Sequence, residues 1–232
     1  MKYALGCTSP HRAWELASKL VLEYGQDRGD LIEVINGVIE IQPNDSPYFP
    51  NYEKNFDKNF RTIFGDDRID YAKSVTFVTP TIGLDGSWSC VPIKPKWSDT
   101  YFGRMINWQG KFNQLEHCLK ILKQGIAVKR CEIIIYDPLL DAKNMYKQPC
   151  LLAIDFKPRD GKLYTTAFFR SQAVSKSGYA DYTALMELTE WLAQHSNLEC
   201  GSIEIHATSL HIRRQNNELK KTKELLILCE QP

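Results

Sequence analysis

The chain has 232 residues, enough to bury one substantial core, and sets 29 basic against 28 acidic side chains. A formal charge of +1 creates no strong overall field, so composition argues for neither a nucleic-acid polymer nor a membrane surface as partner. An anionic small molecule would need a local basic pocket instead.

Seven cysteines form an odd set without CxxC spacing, which points away from a disulfide framework or a bound metal and toward reduced thiols in a cytoplasmic protein. Cys7, Cys90, Cys118, Cys131, Cys200 and Cys229 read mostly as buried or incidental thiols. The opening MKYALGCTSPHRAW lacks the apolar run of a signal peptide, and no window approaches the roughly 18 apolar residues of a membrane span.

In chain order, Ser9-Pro10 caps an amphipathic helix in which Trp14, Leu16, Ala17, Leu20, Val21 and Tyr24 recur at helical spacing. Leu31 to Ile41 is β-rich and broken by Asn36-Gly37, which predicts a hairpin. Pro43 to Asp99, dense in Pro, Gly, Asp and aromatics, has no clear period. Asn113 to Leu122 predicts a helix with Leu115, Cys118, Leu119 and Leu122 on one face. Strands follow over Cys131–Tyr136, Cys150–Phe156 and Leu163–Phe169, and Asp160-Gly161 between the last two signals a hairpin. Tyr179 to His195 predicts a long helix with an apolar stripe of Tyr182, Leu185, Met186, Thr189, Leu192 and Ala193. Ser202 to Ile212 alternates as a strand, and Glu224–Leu228 predicts a last short strand. Hairpins mixed with helices, without repeats or linkers, give one α+β domain over residues 1–232.

The chemically suggestive segment runs from Gln148-Pro149-Cys150 through the hairpin to Phe169-Arg170-Ser171. Antiparallel pairing brings Cys150 and Arg170 to one end, where a guanidinium favours the nucleophilic thiolate. Serine and arginine together also suit a phosphate, which arginine binds with paired charge-assisted bonds. The plainer alternative is a buried strand cysteine beside a surface arginine.

PCLLAIDFKPRDGKLYTTAFFRS resembles the thymidylate synthase signature: Pro-Cys, a hairpin with a DGKL turn, then Arg-Ser. AVKRCEIIIYDP is similar to that family's arginine pair running into a strand. DYTALMELTEWLAQ resembles its asparagine-led helix, HATSLHIRR its Gly-Asp-x-His-x-Tyr strand, and SPHRAWELASKLVLEYG the opening of short archaeal-type members. The resemblance implies a large mixed, partly antiparallel sheet flanked by helices, and a homodimer formed through the sheet with a shared active site. It implies a pyrimidine nucleoside monophosphate as substrate, 5,10-methylenetetrahydrofolate as one-carbon donor, and Cys150 as the nucleophile that adds to C6. Arg170 and Ser171 would hold the 5′-phosphate, with Arg130 and Lys129 reaching the partner's phosphate, and His211 would bind the sugar.

Departures from the family pattern redirect the expectation. Asp181 stands where the family's asparagine reads uracil; a carboxyl group suits a 4-amino group and N3, as in deoxycytidylate hydroxymethylases. The alternative is that Asp181 caps the helix after it. Arg213 replaces the tyrosine that follows the sugar-binding histidine, and a charged donor there could serve a ribonucleotide. A pterin-contacting aspartate falls at Ala173, Gly-Leu-Pro falls on Ser177-Gly178-Tyr179, and the usual Tyr-Gly falls on Phe102-Gly103, with Tyr101 one residue off. The polar ending Leu228-Cys229-Glu230-Gln231-Pro232 differs from the apolar tail that excludes water in thymidylate synthases. These features give C5 hydroxymethylation of CMP or dCMP as the first expectation. Methylation of dUMP and a catalytically silent nucleotide-binding relative are the alternatives.

Overall fold

The computed structural model describes residues 3–42, 50–65, 81–82, 88–89, 100–125, 129–144 and 148–229. In chain order the elements are β1 (Tyr3–Cys7), α1 (Pro10–Tyr24), β2 (Gln26–Asp27), β3 (Leu31–Ile41), α2 (Pro50–Phe64), β4 (Thr81–Ile82) and β5 (Trp88–Ser89). They continue with α3 (Tyr101–Ile106), α4 (Gln114–Lys123), β6 (Glu132–Ile134), α5 (Pro138–Asp141), β7 (Leu151–Arg159), β8 (Lys162–Phe169) and β9 (Gln172–Ala173). A π-helical turn (Val174–Gly178) leads into α6 (Tyr179–His195), followed by β10 (Glu199–Arg213) and α7 (Glu218–Cys229).

Eight strands form one mixed sheet in the order β1-β3-β10-β8-β7-β6, with β2 beside β3 and β9 beside β10. The fold is therefore α+β, a mixed sheet flanked by helices. Local chemistry explains most of its parts. Ser9 accepts a bond from the Arg12 N–H and Pro10 sits at the first helical position, so α1 starts where its cap is. Ala13, Trp14, Ala17 and Val21, at 0% exposure, press its apolar face onto β3 and α6. Asn113 caps α4 through the Glu116 N–H at 2.9 Å. Asp160 and Gly161 both take positive φ, the geometry of a two-residue hairpin that matches strand twist, and they join β7 to β8.

β8 and β10 are parallel neighbours, so the chain must cross over between them, and α6 is that crossover. The Thr189 hydroxyl on α6 bonds the Thr165 hydroxyl on β8, fixing the helix to the sheet. Alternation then sets the two faces. Leu163, Thr165, Ala167 and Phe169 of β8 and Ile203, Ile205 and Ala207 of β10 are buried on the helix side. Tyr164 and Phe168 point to the other side and stay exposed.

Two expectations are corrected. Asn36-Gly37 does not turn the chain: β3 runs unbroken and pairs with β10 from Arg213↔Leu31 to Ile203↔Ile41. Asn36 takes a positive φ inside the strand. Gly37 serves close packing, because a Cβ there would lie 2.9 Å from the Leu210 side chain. Nor is Glu224–Leu228 a strand. It is the last part of α7, whose buried Glu218, Thr222, Leu225 and Leu226 follow helical spacing, and α7 packs against α2. Cys90 and residues 230–232 lie outside the described residues. No described helix is long and apolar enough to cross a membrane.

Candidate active site

The topology gathers one end of the sheet. The start of β7, the end of β8, β9, the end of β10 and the start of β3 meet there, bringing Cys150, Arg170, Ser171, His211 and Arg213 into one neighbourhood. The Arg170 N–H donates to the Cys150 carbonyl at 2.9 Å, closing the open end of the hairpin. The Arg170 side chain then folds back: its Nε donates to the Pro149 carbonyl and an Nη to the Gln148 carbonyl, both at 2.9 Å. This arginine clamps the loop that carries the thiol and keeps part of its donor set for a ligand.

Burial pushes the Cys150 thiol above its ordinary range. Arg170 is the main force opposing that rise, Asp181 adds to it, and Arg213 and Tyr101 oppose it. Arg170 pulls toward the thiolate, but desolvation outweighs it. The resting side chain is a thiol.

Tyr101 belongs to this neighbourhood, which sequence matching did not show. The backbone N–H groups of Cys150 and Leu151 donate to its hydroxyl oxygen at 3.0 and 3.3 Å. That oxygen has only its own proton left to give, and Tyr101 works to lower the Cys150 pKa. Matching had set the family's Tyr-Gly on Phe102-Gly103. Phe102 instead lies in the core at 1% exposure, and the tyrosine one residue earlier meets the Cys150 backbone. Burial, Asp181 and Cys150 all hold the phenol protonated.

Asp181 is 5% exposed and does not cap α6: Gly178 stands at that helix's N-cap, without a side-chain bond. Instead Gln172 on β9 donates from Nε2 to an Asp181 carboxylate oxygen at 2.7 Å. The Asp181 charge acts on both the Cys150 thiol and the Tyr101 phenol, raising each.

Next to this group lies a cleft of about 220 Å³ lined by Asp30, Leu31, Ser171, His211, Arg213 and Gln215. His211 and Arg213 are two residues apart on β10 and so share a face. Burial, then the Arg213 charge, lower the His211 pKa and keep the ring neutral. The Ser209 hydroxyl donates to Glu33, which leaves its oxygen to accept from His211 Nδ1–H at 3.3 Å. Nε2 is then a bare acceptor, buried and without a partner among the described residues. Lys129 and Arg130 are exposed just before β6, at the sheet's edge. They are neither among the cleft's lining residues nor among the charges acting on Cys150.

The sequence profile of the family described as thymidylate synthase matches residues 87–227, more than half of the chain. Three archaeal proteins, each named "Putative thymidylate synthase", are similar to it. The Methanothermobacter marburgensis protein is 29% identical over 125 residues, covering 54% of this chain and 55% of the relative. The Methanosarcina barkeri protein is 33% identical over 113 residues, covering 49% and 52%. The Methanocaldococcus jannaschii protein is 30% identical over 106 residues, covering 44% and 48%. The chain thus spans about half the length of the curated relatives it matches. With the profile match lying across β7, β8, β9 and β10, the chain belongs to the thymidylate synthase family.

Proposed function

We propose that the chain hydroxymethylates C5 of a cytosine nucleoside monophosphate, CMP or dCMP, with Cys150 adding covalently to C6. One observation carries this reading: a carboxylate, not an amide, stands buried at position 181, held by Gln172, with its charge acting on the thiol. A carboxylate accepts from the 4-amino group of cytosine and shares a proton with N3, whereas uracil presents an O4 acceptor that it would repel.

The residues then divide the work. The Tyr101 O–H stabilises the sulfur as its proton passes to the Asp181 carboxylate, which then shares that proton with N3, and Arg170 holds the loop and offers its remaining N–H groups, with Ser171, to the phosphate. As the sulfur–C6 bond forms, the electrons of the C5=C6 bond move into the ring, and the proton shared between Asp181 and N3 balances them. His211 Nε2 accepts from a sugar hydroxyl, and Arg213 donates beside it. Lys129 and Arg130 serve the phosphate site of a second copy in a homodimer packed through the sheet face opposite α1 and α6.

Methylenetetrahydrofolate, carried over from the family, would supply a one-carbon electrophile when bound. Where the resemblance places a pterin-binding aspartate stands Ala173, 9% exposed on β9, whose methyl group cannot hydrogen-bond. The family's pterin contact does not fit this chain, so no step through the donor is assigned to these residues. The names of the archaeal relatives favour a second reading, methylation of dUMP.

Tritium release from [5-³H]CMP, [5-³H]dCMP and [5-³H]dUMP, each with and without methylenetetrahydrofolate, separates the two, because substitution at C5 must expel its hydrogen. Folate-dependent release from a cytosine nucleotide supports the proposal. Release from dUMP alone supports the second reading, and nucleotide binding without any release would make the chain a silent relative.

A further inference from the structure

Gln172 is 1% exposed and makes one side-chain bond, from Nε2 to Asp181; its Oε1 is buried without a partner among the described residues. An unmet buried carbonyl is costly, so a glutamine retained in this form calls for an explanation. The carboxamide is the one neutral side-chain group that presents a strong donor and a strong acceptor on a single pivot. Toward a carboxylate it turns its N–H, and toward a carboxylic acid its C=O. No other described hydrogen bond holds the Gln172 amide in its present orientation, so turning it over breaks only the bond to Asp181 and gives Oε1 a partner.

We propose that Gln172 is a positioning residue that follows Asp181 through a change of protonation, donating to its carboxylate and accepting from its acid form. This inference rests on the reading that Asp181 shares a proton with the base. Gln172 lies immediately after Ser171 and pairs through β9 with Leu210, so it is anchored to the same strands as the phosphate and sugar residues. The groups around Asp181 fit the role. Tyr101 on α3, Cys150 at the start of β7 and Tyr182 on α6 are all held protonated by burial, with Asp181 adding to the effect. Arg170 and Arg213 act on Cys150 from the end of β8 and from β10. None of the three protonated neighbours offers an acceptor as good as an amide carbonyl to a protonated Asp181.

The test is the titration of Asp181 by carbon NMR in protein carrying ¹³C-carboxyl aspartate, the resonance assigned by its loss in Asp181→Asn. Gln172→Met keeps the volume and removes the donor, which should move the titration up by about one to two pH units. Gln172→Glu sets two carboxyl groups face to face and should move it further. That order, glutamine below methionine below glutamate at nearly constant volume, is not expected of a residue that only fills space. Circular dichroism and melting confirm that each variant folds. An unchanged titration in Gln172→Met would overturn the inference. The outcome is also separable from the substrate: a shifted titration with uracil preferred leaves Gln172 in place and removes the cytosine reading, and the reverse pattern does the opposite.

Discussion

At the residue scale, Cys150 stands under opposing influences. Burial and Asp181 favour the thiol, while Arg170, Arg213 and Tyr101 favour the thiolate. Alkylation by iodoacetamide should therefore be slow near neutral pH and climb as pH rises past the ordinary thiol range, since only the thiolate reacts. Asp181→Asn removes a negative neighbour and should raise the rate at fixed pH by up to roughly tenfold, one pKa unit. Arg170→Ala should lower it. Equal rates in all three proteins would show that these charges do not act on the sulfur. Cys150, Arg170 and Asp181 are picked out in the sequence because their order and spacing match a motif. Tyr101 is not, because a shift of one residue on a short helix is invisible until the hydroxyl is seen to accept two backbone bonds.

At the element scale, Tyr101 owes its position to a buried ion pair on its own helix. Arg104 on α3 meets Asp141 on α5 through two bonds of 2.6 and 2.9 Å, both side chains almost fully buried. Gln114 on α4 bonds the Arg104 and Ile134 carbonyls and the Ile134 N–H, tying α3, α4 and β6 together. Burial alone would raise the Asp141 pKa, yet Arg104 and the Asp137 N–H hold it below the usual carboxylate value. Its stabilising contribution is therefore present above the ordinary carboxylate range and is lost as pH falls through the lowered value. Asp141→Asn leaves a buried guanidinium half-paired and should cost about 3–5 kcal/mol in urea unfolding at pH 7. A loss near zero would mean the pair is not what fixes α3. None of this network was visible in the sequence, since nothing in the spacing of Arg104 and Asp141 marks them as partners. The α7 error has a similar root: Glu224–Leu228 is a short apolar run, and such a run does not distinguish strand from helix until the buried positions are known.

At the scale of the whole molecule, the sheet has one face under α1 and α6 and an opposite face on which, among the described residues, Tyr164 and Phe168 are exposed, with His206 packed beside Phe168. A second copy on this face would bring Lys129 and Arg130 into use. Tyr164→Glu together with Phe168→Glu should then give a monomer by sedimentation velocity, whereas an unchanged mass would assign that face to something else. Mixing inactive Cys150→Ala with inactive Arg130→Ala should restore about a quarter of the parental activity if subunits pair at random and share sites. No recovery would mean that each copy is self-sufficient. The architecture was legible in outline because the hairpin at Asp160-Gly161, the cap at Ser9 and the long α6 helix are each set by local chemistry. The β3 strand was misread because Asn36-Gly37 looks like a turn, and only the neighbouring β10 strand shows that Gly37 makes room for Leu210.

A sulfur–carbon bond between Cys150 and a cytosine nucleotide is the central claim, and a 5-fluorinated substrate can freeze it, because fluorine cannot leave C5 as a cation. Intact mass spectrometry of the protein incubated with 5-fluoro-CMP or 5-fluoro-dCMP and methylenetetrahydrofolate should show a covalent adduct. Peptide mapping should place it on Cys150, and the Cys150→Ala protein should show none. An adduct formed with 5-fluoro-dUMP but with neither cytosine analogue, or one that persists in Cys150→Ala, would contradict the account.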